Sequence, residues 1–179
     1  MALKDLWLLK QDESGPAGAR LLADLHRRSP DARSWRSVEG GLVYTYWPAD
    51  PASSGGPGIG GEWLRLTCVQ AIDGAAAGQP APCHYIVETD VLPASEEDLN
   101  AWYAQEHLPG LAAVPGTVRA SRYVDPTGTP RYYACYDLAS ADALGSPAWL
   151  AVRGTAWSSR VRPAFRNTRR TMFKASMVG

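Results

Sequence analysis

The chain has 179 residues, of which 45% are hydrophobic, so it is long enough to bury one large core or two small ones. Its 18 basic residues balance 18 acidic ones, so a nucleic acid or an anionic membrane gains no net electrostatic attraction. No apolar run approaches the ~20 residues of a membrane span, and Lys4, Asp5 and Lys10 interrupt the N-terminus where a signal peptide would be apolar. We therefore expect a cytoplasmic protein without nucleic-acid or membrane partners.

The first half of the chain predicts three strands and one helix, in the order β-α-β-β. A 3.6-residue apolar period indicates a helix at 16–28. Alternating hydrophobicity indicates strands at residues 6–10, 42–47 and 63–72. Residues 51–61 are rich in Gly, Pro and Ser and predict a loop, and 74–82 predict a linker. Because neither a second helix nor a fourth strand fits, residues 1–82 are predicted to form a degenerate ferredoxin-like module.

The second half predicts the complete order β-α-β-β-α-β, which is that of a ferredoxin-like α+β fold. Its strands are predicted at residues 84–91, 117–124, 131–138 and 165–175. Ser95 is predicted to cap the first helix, and Pro109 to end it, because proline cannot continue the hydrogen-bond ladder. Ser146 is predicted to cap the second helix. Residues 83–179 are therefore predicted to form a complete module.

The end of the first predicted helix carries a motif that resembles a known family. The motif is Trp102-Tyr103-x-x-Glu106-His107-Leu108-Pro109, followed by Val114-Pro115-Gly116 and Ala120-Ser121-Arg122-Tyr123. Over about the last half of the chain it resembles the dimeric α+β barrel superfamily, and within it the EthD-like branch. The resemblance implies two ferredoxin-like sheets packed face to face around a cavity, with the helices outside. We expect the first module to replace a partner subunit, and a homodimer is the open alternative.

The first helix of this module presents ionisable residues close to the sheet. Its apolar stripe and the margin of that stripe comprise Leu99, Trp102, Tyr103, Glu106 and His107. We expect Arg119 or Arg122 to pair with Glu106, because an unpaired buried carboxylate is unfavourable. His107 has an ordinary pKa near ~6.5, and a position at a helix C-terminus is expected to favour its charged form. The resemblance implies that His107 is a site residue, and a structural histidine is the alternative.

Strand alternation predicts which side chains face the barrel interior. Tyr85, Val87, Ala134, Tyr136 and Leu138 are predicted to face the helices, and Glu88, Tyr133, Cys135 and Asp137 to face the cavity. For the strand at 117–124, the set with Arg122 and the set with Tyr123 compete for the cavity. His26 and His84 are interpreted as structural or exposed. The arginines of 160–170 are interpreted as a solvated edge or interface strand.

These patterns define a candidate site and two functional hypotheses. The predicted catalytic residues are His107, Tyr123 and Glu88, and the predicted substrate-binding residues are Trp102, Tyr103, Arg122 and Tyr133. The sequence lacks a phosphate loop, a serine elbow, a metal-ligand triplet and a haem signature, so we predict neither cofactor nor metal. One hypothesis, implied by the resemblance, is a small enzyme acting by proton transfer on a hydrophobic or aromatic oxygenated molecule, as a cyclase, isomerase, decarboxylase or cofactor-independent monooxygenase. The other is a non-catalytic protein whose barrel binds a small ligand.

Overall fold

The structure is a computed structural model that describes residues 4–12, 23–24, 27–28, 31–50, 56–58 and 60–176. It contains eight strands: β1 (Leu6–Asp12), β2 (Arg33–Ser37), β3 (Leu42–Pro48), β4 (Trp63–Asp73), β5 (Cys83–Val91), β6 (Thr117–Val124), β7 (Tyr132–Leu138) and β8 (Phe165–Ala175). Of the predicted helix at 16–28, the four described positions are helical, while the rest, with His26, lies outside the described residues. No helix in the described part of the chain is long and apolar enough to cross a membrane.

The eight strands form one closed antiparallel barrel in the order β1-β3-β2-β8-β5-β7-β6-β4. The first four strands follow the order β4-β1-β3-β2 and the last four the order β8-β5-β7-β6, so each half has the same internal arrangement. Two seams join the halves, β2 with β8 and β4 with β6. The barrel therefore closes within one chain. β8 pairs with β2 over residues 173–175, whereas its residues 165–171 lie outside that pairing and keep an open edge, as its exposed arginines suggested.

The prediction of three strands in the first half was wrong, because Arg33–Ser37 forms a fourth strand. This segment has one apolar residue, Trp35, and gives no alternation signal. Its small polar residues are nevertheless buried, and the Ser34 and Thr45 hydroxyls share a hydrogen bond of 2.8 Å. A strand whose buried positions are satisfied by cross-strand hydrogen bonds lacks the hydrophobic pattern on which the prediction relied.

The predicted linker at 74–82 begins as a docked turn. The backbone N–H groups of Gly74 and Ala76 donate to the carbonyls of Val118 and Thr117, at 2.9 and 2.8 Å. A Cβ added at Gly74 would lie 2.1 Å from the Thr117 carbonyl oxygen, so only glycine permits this approach. The chain therefore leaves the first half held against β6.

The helices of the second half cover the outer face of its four strands. They are α1 (Glu96–Trp102), α2 (Leu108–Ala112), α3 (Pro147–Arg153) and α4 (Ala156–Val161), with a π-helical turn, Tyr103–His107, between α1 and α2. Ser146 caps α3 as predicted, since its hydroxyl accepts the Trp149 N–H at 3.2 Å. Ser95 does not cap α1 with its side chain, because a 3₁₀ turn, Pro93–Ser95, precedes the helix.

Two separate cores lie on the two faces of the sheet. The outer core packs helix residues such as Leu99 and Trp149 against the outward-facing side chains of β5 and β7. The inner core fills the barrel with Leu8, Trp35, Tyr44, Tyr46, Leu66, Cys68, Ile86, Tyr123, Tyr133, Cys135 and Phe173. The predicted division of β5 and β7 into helix-facing and barrel-facing positions is confirmed.

Candidate functional site: a crevice between helices and sheet

The helix that carries the motif does not end at Pro109, contrary to the prediction. The Leu108 N–H donates to the Tyr103 carbonyl five residues earlier, which is the hydrogen bond of a π turn. In this pattern the Ala104 carbonyl would need an N–H from Pro109, which has none. The Gln70 side chain supplies the donor instead, at 3.1 Å from the Ala104 oxygen. The helix can therefore run through Pro109 to Ala112.

The π turn also decides which side chain faces the sheet. One extra residue in a helical turn rotates everything after it by about 100°, the angle of one residue in an α-helix. As a result His107 is buried, and Glu106 turns away to accept a hydrogen bond from the Thr155 hydroxyl at 2.6 Å. The expected ion pair of Glu106 with Arg119 or Arg122 is wrong for this reason.

His107 is held between aromatic rings. It stacks on Trp102 with ring centroids 4.0 Å apart and an interplanar angle of 21°, and it meets the Tyr103 ring edge-on at 5.3 Å. Only 7% of the residue is exposed. Burial, with the nearby charges of Arg153 and Arg162, lowers the pKa of His107 to about 3. The expectation of a charged histidine at a helix C-terminus is therefore wrong, because the residue lies inside the helix and is desolvated.

His107 lines a crevice between the helices and the outer face of the sheet. The crevice is lined by Tyr85, Val87, Trp102, Tyr103, His107, Leu111, Tyr136, Trp149, Arg153, Arg162, Phe165 and Arg170. The crevice and its open mouth together enclose about 380 Å³ that protein atoms do not fill. Only about 30 Å³ of this space can accommodate the centre of a water molecule. The structure thus shows a narrow, largely aromatic site with arginines in its lining.

Several buried polar atoms of the crevice have no hydrogen-bond partner. In the described part of the chain, seven buried side-chain polar atoms lack a partner, and four of these belong to residues that line the crevice. The four are Trp102 Nε1, His107 Nδ1, Tyr136 Oη and Trp149 Nε1. Such atoms are uncommon in folded proteins because leaving them unpaired costs about 1–3 kcal/mol each. Their concentration at one crevice marks it as a place where a polar ligand would be stabilised.

Arg122 lies on the helix side of the sheet, next to the crevice residues. Its guanidinium donates to the Asn100 side-chain oxygen at 2.7 Å and lies 4.4 Å from the centre of the Tyr103 ring. Burial lowers the pKa of Arg122, and Tyr103 and Tyr132 partly counteract this. For β6 the structure therefore places Arg122 against the helices and Tyr123 inside the barrel.

Two of the remaining predicted residues, Glu88 and Tyr133, belong to a polar network inside the barrel. Glu88 is paired with Lys10 and accepts a hydrogen bond from the Tyr44 hydroxyl at 2.9 Å. Lys10 also donates to the Tyr133 hydroxyl at 3.3 Å. Tyr123 lies in the same interior, where burial raises its pKa. The network satisfies its own carboxylate, so it has the character of a structural element.

A second network inside the barrel contains His84, for which the sequence predicts a structural or exposed position. His84 Nδ1 lies 2.7 Å from an Asp137 carboxylate oxygen, and His84 Nε2 shares a 3.0 Å hydrogen bond with the Tyr46 hydroxyl. Its ring stacks on Trp35 with centroids 4.9 Å apart. Strand alternation could have predicted the buried position of His84, because His84 lies on the same face of β5 as Glu88. The two residues are four positions apart, and His84 pairs directly with Asp137 on β7. The histidine is buried and fully hydrogen-bonded, not exposed.

The structure therefore splits the predicted site into two groups. His107, Trp102, Tyr103 and Arg122 lie on the helix side of the sheet, whereas Glu88, Tyr123 and Tyr133 lie inside the barrel. The three predicted catalytic residues are not brought together, because the sheet separates His107 from the other two. Within the described residues, no group of three or more His, Cys, Asp or Glu side chains could hold a metal ion.

No protein-family model matches the sequence, and no curated protein matches it. Solved structures do match. A Lactobacillus acidophilus protein proposed to be a monooxygenase has a TM-score of 0.68 at 10% identity, over 97% of this chain and 94% of that chain. A ferredoxin-fold protein of Listeria monocytogenes related to antibiotic biosynthesis monooxygenases has a TM-score of 0.63 at 10% identity, over 98% and 96%. An anthrone oxidase-like protein has a TM-score of 0.57 at 14% identity, over 98% and 92%.

These similarities establish the fold class. The chain has the ferredoxin-like α+β fold of these proteins, and the likeness extends over nearly the whole of both chains. At 14% identity or less, the shared fold does not carry an activity from one protein to another. The function must therefore be argued from the crevice itself.

Proposed function

We propose that the chain is a small EthD-like enzyme that uses His107 to remove a proton from a hydrophobic, oxygenated molecule bound in the crevice. The observation that carries the proposal is the concentration of unpartnered buried polar atoms around an aromatic pocket. Indole N–H groups of Trp102 and Trp149 require acceptor oxygens, and the aromatic walls favour an apolar body. Hydrophobic molecules that carry oxygen satisfy both requirements.

His107 has the properties of a proton acceptor in this site. A pKa of about 3 keeps the imidazole unprotonated at neutral pH but makes it a weak base in the empty crevice, so it accepts a proton only when the developing negative charge of a bound ligand raises its pKa. Removal of a proton from a ketone or phenol creates an oxyanion, which Arg153 and Arg162 would stabilise. The new negative charge beside the ring also raises the pKa of the imidazole, so the proton is held more firmly once transferred.

Known structures of the same fold are compatible with this chemistry. One structural neighbour is described as anthrone oxidase-like, and an anthrone carries an acidic carbon next to a carbonyl-bearing aromatic system. Proton removal from such a carbon is a first step shared by isomerisation, aldol-type cyclisation and reaction with dioxygen, whereas decarboxylation forms the same carbanion by loss of CO₂ and ends with its protonation. The proposal therefore commits to proton transfer and to the site where it occurs.

A non-catalytic binding protein is the second candidate. The barrel interior is occupied by aromatic side chains, and its two polar networks satisfy their own members. Water molecules can be centred in only a small part of the crevice. A protein that merely holds a small apolar ligand in this crevice would need the same walls but no proton transfer.

Deuterium exchange tests the proposal without requiring knowledge of the final product. Anthrone in D₂O under anaerobic conditions is the probe, and NMR measures incorporation of deuterium at its acidic carbon. We expect the wild type to accelerate exchange, and His107→Phe, which keeps a stacked ring without a base, to lose at least about 90% of the acceleration, a change within the range of general-base catalysis. Glu106→Gln is the matched control, because the neighbouring carboxylate faces Thr155 and should be dispensable. Equal exchange by wild type and His107→Phe would contradict the proposal and favour the binding protein.

A further inference from the structure

The polar groups of the crevice are mostly hydrogen-bond donors. Two indole N–H groups, of Trp102 and Trp149, have no acceptor. Three guanidinium groups, of Arg153, Arg162 and Arg170, belong to the same lining, and a guanidinium only donates. A ligand that satisfies this site must therefore present several acceptor oxygens, more than a single ketone or hydroxyl supplies.

The three arginines also bring positive charge together without a compensating carboxylate. Arg153 ends α3, Arg162 follows α4, and Arg170 lies on β8, so separate elements converge on one opening. Within the described part of the chain, none of the three forms an ion pair with an acidic side chain. Arg160, by contrast, is bound by Asp98 at 2.9 Å. Burial and the charges of Arg153 and Arg170 lower the pKa of Arg162, as expected where like charges are crowded.

Charge and apolar surface are segregated within the crevice. Trp102, Tyr136 and Trp149 are almost completely buried and form its inner wall, while Arg162 and Arg170 are exposed. A ligand that matches this arrangement has an apolar ring directed inward and an anionic group directed outward. Guanidinium groups bind carboxylates with paired, charge-assisted hydrogen bonds, which makes a carboxylate the favoured anion.

We propose that the crevice selects aromatic carboxylates, with Arg162 and Arg170 as the residues that determine this specificity. The inference rests on the proposed function, because it names the substrate class of the same site. Ring entry requires the mouth to widen, since water molecules can be centred in only about 30 Å³, roughly the space of one or two of them. Arg162 and Arg170 are exposed lining residues, so their side chains are free to rearrange at the mouth when a carboxylate binds them.

Binding measurements with two matched probes test the inference. The probes are 2-naphthoate and its neutral counterpart 2-naphthalenemethanol, titrated into the full-length protein by NMR and calorimetry. We expect 2-naphthoate to bind at least about ten-fold more tightly than the alcohol, and Arg162→Gln and Arg170→Gln each to reduce that preference about ten-fold. Arg166→Gln is the control, because this exposed arginine of the same strand donates to the backbone oxygens of Pro163 and Phe165. It removes the same charge and should leave the affinity for 2-naphthoate unchanged.

Three outcomes would overturn the inference. The first is equal affinity for both probes, and the second is the same loss in Arg166→Gln as in Arg162→Gln. The third is displacement of 2-naphthoate by millimolar sulfate with no effect of Trp102→Leu, which would indicate a site for inorganic anions. None of these measurements uses turnover, so the inference can fail while His107 still exchanges protons. Conversely, tight binding of 2-naphthoate with unaccelerated exchange both of anthrone and of an anthrone that carries a carboxylate would overturn the proposed function alone.

Discussion

At the scale of single residues, His107 is a titratable group in a buried environment that destabilises its protonated form. Its folded-state pKa of about 3 lies below its ordinary value of 6.5. Between these two pH values the unfolded chain binds a proton that the folded chain does not, so acidification favours unfolding. The stabilisation is complete above the ordinary pKa and is lost as the pH falls toward the folded value.

Replacement of His107 should therefore make the free energy of unfolding less dependent on pH. Between pH 7 and pH 4.5 we expect the wild type to lose about 2 kcal/mol more unfolding free energy than His107→Phe, given about 1.4 kcal/mol per pH unit at full effect. Urea denaturation at several pH values measures the difference. His107→Gln, which is polar but does not titrate, should behave like His107→Phe in slope. If both variants lost unfolding free energy with falling pH as steeply as the wild type, other groups would be responsible for the acid sensitivity.

His84 is the opposite case, a histidine whose two ring nitrogens both have partners. His84→Phe removes both hydrogen bonds and leaves the Asp137 carboxylate without its imidazole partner, so we expect a loss of about 2–4 kcal/mol. Tyr46→Phe removes one hydroxyl and should cost about 1 kcal/mol. Chemical denaturation of the single and double variants measures the coupling between the two residues. Additive losses would show that the chain of hydrogen bonds is not cooperative.

At the scale of secondary-structure elements, the π turn depends on a side chain from another part of the fold. Gln70 on β4 satisfies the Ala104 carbonyl that Pro109 cannot. Gln70→Leu should therefore destabilise the protein by about 1 kcal/mol. In a Pro109→Ala background the new N–H can bond the same carbonyl, and the cost of Gln70→Leu should fall. A double-mutant cycle by urea denaturation measures this, and an unchanged cost in both backgrounds would remove Gln70 from the stabilisation of the turn.

Much of the second half could be predicted from its sequence, because its strands alternate regularly and its second helix has a serine cap. The π turn could not be, since a helical wheel assumes a constant 100° per residue and the sequence around Ala104 carries no sign of the extra residue. The helical wheel therefore placed Glu106 on the face toward the sheet and His107 only at the margin of that face. The aromatic residues Trp102 and Tyr103, which precede the turn, were placed on the correct face. The arginines of the crevice were missed because α3, α4 and β8 converge only in the folded chain.

At the scale of the whole molecule, closure of the barrel within one chain gives every strand two hydrogen-bonded neighbours. β8 keeps an open edge over residues 165–171, where it lies outside the pairing with β2. The exposed Arg166, Arg169 and Arg170 of this stretch disfavour pairing with a second copy. Among the described residues the exposed large hydrophobic side chains are few and scattered: Val38, Val69, Leu92 and Leu150. A surface without an extended apolar patch gives a second copy little to bury.

We therefore expect a monomer of 19.3 kDa. Size-exclusion chromatography with light scattering measures the mass over a range of protein concentrations. A stable dimer would contradict this expectation and would restore the homodimer that the family resemblance left open. In that case the open edge of β8 at residues 165–171 would be the first surface to test for the contact.

The π turn has a consequence for how this crevice could diverge among descendants of the same chain. In an uninterrupted α-helix the present sequence would direct Glu106 toward the sheet, whereas the extra residue directs His107 there. Which of these two neighbouring side chains faces the crevice thus depends on the hydrogen-bond pattern of the helix. Loss of one residue from the turn would restore a regular α-helix and leave His107 facing the sheet, whereas conversion of the turn to an α-helix without shortening the chain would bring Glu106 there instead.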